Sequence, residues 1–227
     1  MKVFFIFFIP FAVLLADTTK FETGKKLYMQ TCVSCHGKDG RAQTQMQLLV
    51  KPRNLHKTIL NEEQSFKIIK KGAHFWGAKA DIMPSFEYVY NDEQIRALAH
   101  YISVAFNPDA IKRVDELYRQ SDTIPQEKQK KMLKRGKKIY QRNCGWCHGL
   151  QAKGDGEASR NPELSIFPYD LTKTLLTKEQ MFLYAKYGGE FRGTHKEDMP
   201  SWSRKYDDFT IKSVIRYIDE KLKKGEK

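Results

Sequence analysis

The chain has 227 residues, a formal net charge of +13 and four cysteines, with 41% hydrophobic and 12% aromatic residues. That much core-forming material excludes intrinsic disorder, and charged residues at 30% break every apolar stretch beyond the N-terminus, which excludes a polytopic membrane protein. Four cysteines are too few for a disulfide scaffold of this length, so their spacing carries the information.

Residues 1–16 begin with Met1 and Lys2, run through mostly large apolar side chains from Val3 to Leu15, and end at Ala16 before a polar chain from Asp17. A membrane helix needs ~20 apolar residues. This shorter stretch, interrupted by Pro10, reads as a secretory signal cut after Ala16. Leu14 stands where a small residue is expected, so an uncleaved anchor is the competing reading. Export would put the mature chain in the periplasm or another extracytoplasmic compartment.

An internal repeat organises the rest. GKKLYMQTCVSCHG from Gly24 recurs as GKKIYQRNCGWCHG from Gly136, an offset of 112. Downstream, Pro52, Leu55, Phe66, Gly72, Met83, Pro84, Ser85 and Tyr101 recur 116 residues later, so the second copy holds four extra residues after its CxxCH. The expectation is two homologous domains, at 17–106 and 133–227, joined by a polar linker at 107–132 that has room for a short helix.

In the first domain, Asn61 with Gln64 predicts a capping box ahead of Phe66, and Gly72 can close that helix; Thr177, Gln180, Phe182 and Gly188 repeat the pattern. Each domain ends in a helix with one apolar face, Ile95, Leu98, Ala99 and Ile102 in the first and Ile211, Val214, Ile215, Ile218 and Leu222 in the second. Alternating strand patterns are absent, so the fold class is all-α.

All four cysteines fall in two CxxCH units, Cys32, Cys35, His36 and Cys144, Cys147, His148. Two intervening residues let both thiols add to the vinyl groups of one haem, and the next imidazole comes beneath the iron. A zinc ribbon would want its cysteine pairs close, a thioredoxin-type pair wants a βαβ context, and a disulfide within each CxxC would leave both histidines unexplained. Two covalently attached haem c groups are therefore expected. What fills the sixth iron position decides function, since an open position invites ligands and a Met thioether closes it. Of seven methionines, Met83 and Met199 alone share a repeated context, IMPSF and DMPSW, 47 and 51 residues after their histidines. The proline that follows holds each methionine in extended backbone.

With these motifs the chain resembles a dihaem c-type cytochrome made of two class I cytochrome c domains, and the likeness covers nearly everything outside the signal and the linker. The resemblance implies that the first and last helices of each domain cross at Gly24 with Tyr101 and at Gly136 with Tyr217. It also implies that the carbonyls of Pro52 and Pro168 accept the other N–H of the ligating imidazoles, with Pro162 competing for the second place. His36 with Met83 and His148 with Met199 are then the axial pairs. His56, His74, His100 and His195 each lack a counterpart and read as surface or structural; His195, four residues before Met199, is the one that could replace it as a ligand. Phe86 and Trp202 read as pocket walls.

Net charge divides as +4 for residues 17–106, +1 for the linker and +7 for 133–227. Such a basic surface would steer the protein onto acidic faces of redox partners and gives no reason to invoke nucleic acid. The function expected is an exported carrier of single electrons between respiratory partners, not an enzyme. The resemblance implies a quinol-oxidising complex as donor and a terminal oxidase or reductase as acceptor, with membrane contact only through partners or an uncleaved signal. A dihaem oxidoreductase acting on a small sulfur or peroxide substrate is the alternative, and a tethered subunit of a larger complex is a third reading.

Overall fold

The computed structural model describes residues 11–78, 83–119, 125–161, 168–192 and 199–223. Their regular elements are all helical, with no strand among the described residues, in two repeats connected by a helix. Helix α1 (Phe11–Thr31) runs through the expected cleavage point after Ala16. It leads to the short helix Val33–His36 that carries the first CxxCH. Helices α2 (Glu62–Phe75) and α3 (Asp92–Phe106) complete the first repeat. After α4 (Ala110–Arg119), the second repeat follows with α5 (Gln126–Ile139), the short helix Gly145–His148, α6 (Lys178–Tyr187) and α7 (Asp208–Tyr217). Among the described residues no helix is long and apolar enough to cross a membrane.

The helix starts are local chemistry. The capping boxes at Asn61 with Gln64 and Thr177 with Gln180 are both formed, and Asn91 with Gln94 adds a third at the head of α3. Gly188 caps α6, whereas Gly72 sits inside α2 as a non-helical kink with one further turn beyond it. Each closing helix buries its apolar face: Ile95, Leu98 and Ala99 are at most 1% exposed, and Ile211, Val214, Ile215, Ile218 and Leu222 join the second core.

In each repeat the first and last helices touch backbone to backbone. A Cβ added at Gly24 would lie 2.0 Å from the Ala97 carbonyl oxygen and 2.7 Å from the Tyr101 Cβ; at Gly136 it would lie 2.0 Å from the Ser213 oxygen and 2.9 Å from the Tyr217 Cβ. The crossings fall where the resemblance implied. Only glycine permits this approach.

The 107–132 stretch is more structured than its polar composition suggested. Val114, Leu117 and Tyr118 form one face of α4 that packs on the second core, with the Tyr118 ring edge-on to Phe182 at 5.6 Å. From the same helix, Arg113 donates to the carbonyls of Thr58 at 2.7 Å and His56 at 3.3 Å in the first repeat. The two repeats also meet directly. Gln64 donates to the Gln180 side chain at 2.8 Å and receives from it at 2.9 Å, while Gln64 reaches the Leu175 carbonyl at 2.8 Å and Gln180 the Ile59 carbonyl at 2.6 Å. Gln64 and Gln180, like Ile59 and Leu175, are 116 residues apart, so the bonds exchange under a local two-fold axis. Ile59 itself is fully buried in the second repeat's core.

Candidate haem-binding sites

Each CxxCH is set at the end of a long helix, with Cys32 and Cys144 as the N-caps of short helices that finish on His36 and His148. Gly37 and Gly149 follow at φ 76° and 75°, a left-handed turn that sends the chain away from the imidazole. Two fully buried tyrosines hold these turns: the Tyr28 hydroxyl donates to the Gly37 carbonyl and Tyr140 to Gly149, both at 2.7 Å. Burial raises the pKa of both phenols and keeps them protonated donors. Both tyrosines lie inside the repeated motif at the same position, which was the available signal for their role.

The two imidazoles are oriented alike. His36 Nδ1 lies 3.0 Å from the Arg53 carbonyl and His148 Nδ1 lies 3.0 Å from the Tyr169 carbonyl. A carbonyl only accepts, so Nδ1 carries the hydrogen and Nε2 keeps its lone pair for a metal. This corrects the expectation for Pro52 and Pro168, since in both repeats the acceptor is the next residue along. Arg53 and Tyr169 are 116 residues apart, so the equivalence of the two proline stretches holds even though the carbonyl does not belong to the proline. Burial pulls the His36 pKa down, favouring the neutral ring that a metal requires. Burial, reinforced by the partner cysteine, pushes the Cys32 and Cys144 thiols up to about 12.

The methionine loops are also built twice. Gly72 and Gly188 have φ 75° and 79°, and a Cβ at either would come within 2.9 Å of the Met-Pro backbone. The Met83 carbonyl accepts from Ala73 N at 2.9 Å and the Met199 carbonyl from Gly189 N at 2.8 Å. Ser85 and Ser201 then donate to the carbonyls of Lys70 and Lys186, both at 2.8 Å. Each Met-Pro-Ser is thereby stapled to the C-terminal end of the preceding helix.

In the second repeat, His148, Cys144, Met199 and Trp202 border one cavity with about 720 Å³ of empty space, counting what is open to solvent. Its remaining walls are mainly aliphatic and aromatic, among them Leu171, Met181 and Ile215. In the first repeat, Cys32, Leu55, Met83 and Phe86 pack against one core. An apolar recess with an imidazole held through its Nδ1, a protonated thiol and a thioether on its walls fits a haem attached through cysteine. Of the other histidines, His56 bonds the Asp39 carbonyl at 2.7 Å and His100 contacts Asp17 and Glu62 at 3.1 and 3.0 Å, both structural roles. His195 and Pro162 lie outside the described residues, as do residues 1–10 of the expected signal.

An all-helical pair of repeats with these two sites defines a tandem c-type cytochrome, and its domains carry covalently attached haem c groups. The chain matches the family described as cytochrome C oxidase, cbb3-type, subunit III, at residues 19–102 and again at 131–218, and it belongs to that family. It is 23% identical over 202 residues to the cbb3-type cytochrome c oxidase subunit CcoP of Azospirillum brasilense, covering 86% of this chain and 60% of that one. The same values hold for the subunit of that name in Azospirillum sp. (strain B510). The chain thus spans about 60% of the length of the curated relatives it matches. A solved chain of the Kuenenia stuttgartiensis reducing HAO-like protein complex is 23% identical with a TM-score of 0.44, over 87% of this chain and 94% of that one.

Proposed function

We propose that the protein carries single electrons between respiratory partners from an extracytoplasmic position, and hands them to a haem-copper terminal oxidase or another terminal reductase. The single observation that carries the reading is the shared cavity of His148, Cys144 and Met199, with the same motifs built at Cys32, His36 and Met83. Cys32 and Cys35, with Cys144 and Cys147, would hold two haems covalently. His36 with Met83 and His148 with Met199 would occupy the axial positions. A haem held in this way supplies one reversible electron at its iron. The protein's own part is to fix the imidazole through the Arg53 and Tyr169 carbonyls, to hold each thioether by the Gly72 and Gly188 staples, and to exclude water with apolar walls.

Two relatives named as subunits of a cbb3-type oxidase support an oxidase as acceptor, and the basic chain supports acidic docking faces on partners. Reduced protein mixed with such an oxidase under oxygen should be reoxidised by two electrons per chain, at a rate that falls steeply as salt rises, because the Debye length shrinks from ~10 Å at 0.1 M to ~3 Å at 1 M. Reoxidation that needs an added sulfur or peroxide substrate and turns it over would replace the carrier reading with an enzyme.

A further inference from the structure

A bonded chain crosses the domain interface from one CxxCH histidine to the other. His36 Nδ1–H donates to the Arg53 carbonyl, and His148 Nδ1–H donates to the Tyr169 carbonyl. Arg53 and Tyr169 occupy the same position of the two repeats, and their side chains meet on the local two-fold axis. Arg53 Nη2 donates to the Tyr169 hydroxyl, and the guanidinium stands 5.3 Å from the ring centroid. The neighbouring backbone is fixed too, since Asp170 N donates to the Gly77 carbonyl of the first repeat at 2.7 Å.

Among the described residues no carboxylate pairs with Arg53. A guanidinium stays ionised in proteins, and a half-buried one acts through an interior that screens charge poorly. One positive charge is therefore held between the two sites. Its backbone orients one imidazole, and its side-chain partner's backbone orients the other.

We propose that Arg53 is a positioning residue shared by both haem sites, which raises the reduction potentials of the two together and, through Tyr169, ties the second site to a residue of the first. A fixed cation favours whichever state of each site holds the extra electron. A residue that belonged to one domain's pocket alone would move one potential; a charge on the two-fold axis moves both. The proposal rests on the reading of two haem-loaded, electron-carrying sites.

The test is a spectroelectrochemical titration of the holoprotein, unaltered and with Arg53→Gln, Arg53→Lys or Tyr169→Phe. In Arg53→Gln, both one-electron steps should shift to lower potential, so that at a fixed applied potential the reduced-to-oxidised ratio of each falls about tenfold. Arg53→Lys keeps the charge and should recover most of the shift, a rescue that a purely structural role would not give. Tyr169→Phe leaves the His148 bond to the Tyr169 carbonyl and should move both steps downward by less. A shift confined to one step, or no shift, in fully haem-loaded protein would overturn the proposal. Should Arg53→Gln not fold, Tyr169→Phe decides by the same criterion. Failure of the unaltered protein to give two reversible one-electron steps would instead overturn the reading beneath it.

Discussion

At the scale of single residues, the buried tyrosines set the geometry of the attachment turns. Tyr140 is 0% exposed, and its hydroxyl donates to the Gly149 carbonyl immediately after the second CxxCH. Tyr140→Phe leaves that buried carbonyl without its donor and should cost about 1–3 kcal/mol. In urea melts of the holoprotein the midpoint should drop while the slope stays unchanged; an unchanged midpoint would show that the bond does not hold the turn. The cysteines, histidines and methionines stand out in the sequence because covalent haem attachment and axial ligation would require those side chains. It could not reveal which backbone carbonyl meets the imidazole, since any residue carries one. Prolines at 52 and 168 pointed to the right stretch, and the acceptors proved to be the neighbours Arg53 and Tyr169.

At the scale of elements, the helix crossings leave no space for a side chain. Gly24→Ala would place a methyl 2.0 Å from the Ala97 carbonyl oxygen, which is backbone and cannot turn aside. The helices must separate, at a cost of about 3 kcal/mol or more. The variant should show a lower melting temperature, with reduced yield of covalently loaded protein. Helix α7 offers a pH-dependent counterpart. Asp207 caps it by accepting from Thr210 N at 2.8 Å, and the bonds from Thr210 hold its carboxyl below the ordinary range despite some burial. A depressed carboxyl contributes stability that is full above its unfolded value of ~3.9 and lost as pH falls through the folded one. Asp207→Ala should therefore destabilise by about 1 kcal/mol near neutral pH, and the difference from the unaltered protein should shrink under acid. A gap that persisted at pH 2 would contradict the capping role. These elements were readable because capping boxes and apolar periodicity are local patterns. Of α4, the room for a short helix in a polar linker was legible but its packing was not, since its buried face of Ala110, Val114, Leu117 and Tyr118 is too short a pattern to announce which core it meets.

For the molecule as a whole, the 116-residue offset became a spatial relation. The repeat announced two domains, yet the two-fold contact between them rests on Gln64 and Gln180, whose sequence signal was the helix cap that each also makes. One side chain serving two purposes hides the second behind the first. The same contact surface brings Arg53 to Tyr169, so the residues that orient the two imidazoles are also the residues that join the domains. Two sites of matched construction, each with a stapled methionine, are the arrangement expected of a carrier whose iron exchanges electrons without exchanging ligands.

The optical spectrum of the ferrous holoprotein, recorded with and without CO at neutral pH, tests that arrangement most directly. If Met83 and Met199 close both sites as proposed, the unaltered protein should show no CO-dependent change, and Met83→Ala and Met199→Ala should each open one haem. Rapid CO binding by the unaltered protein at either haem would contradict the account and favour a site built to bind a substrate.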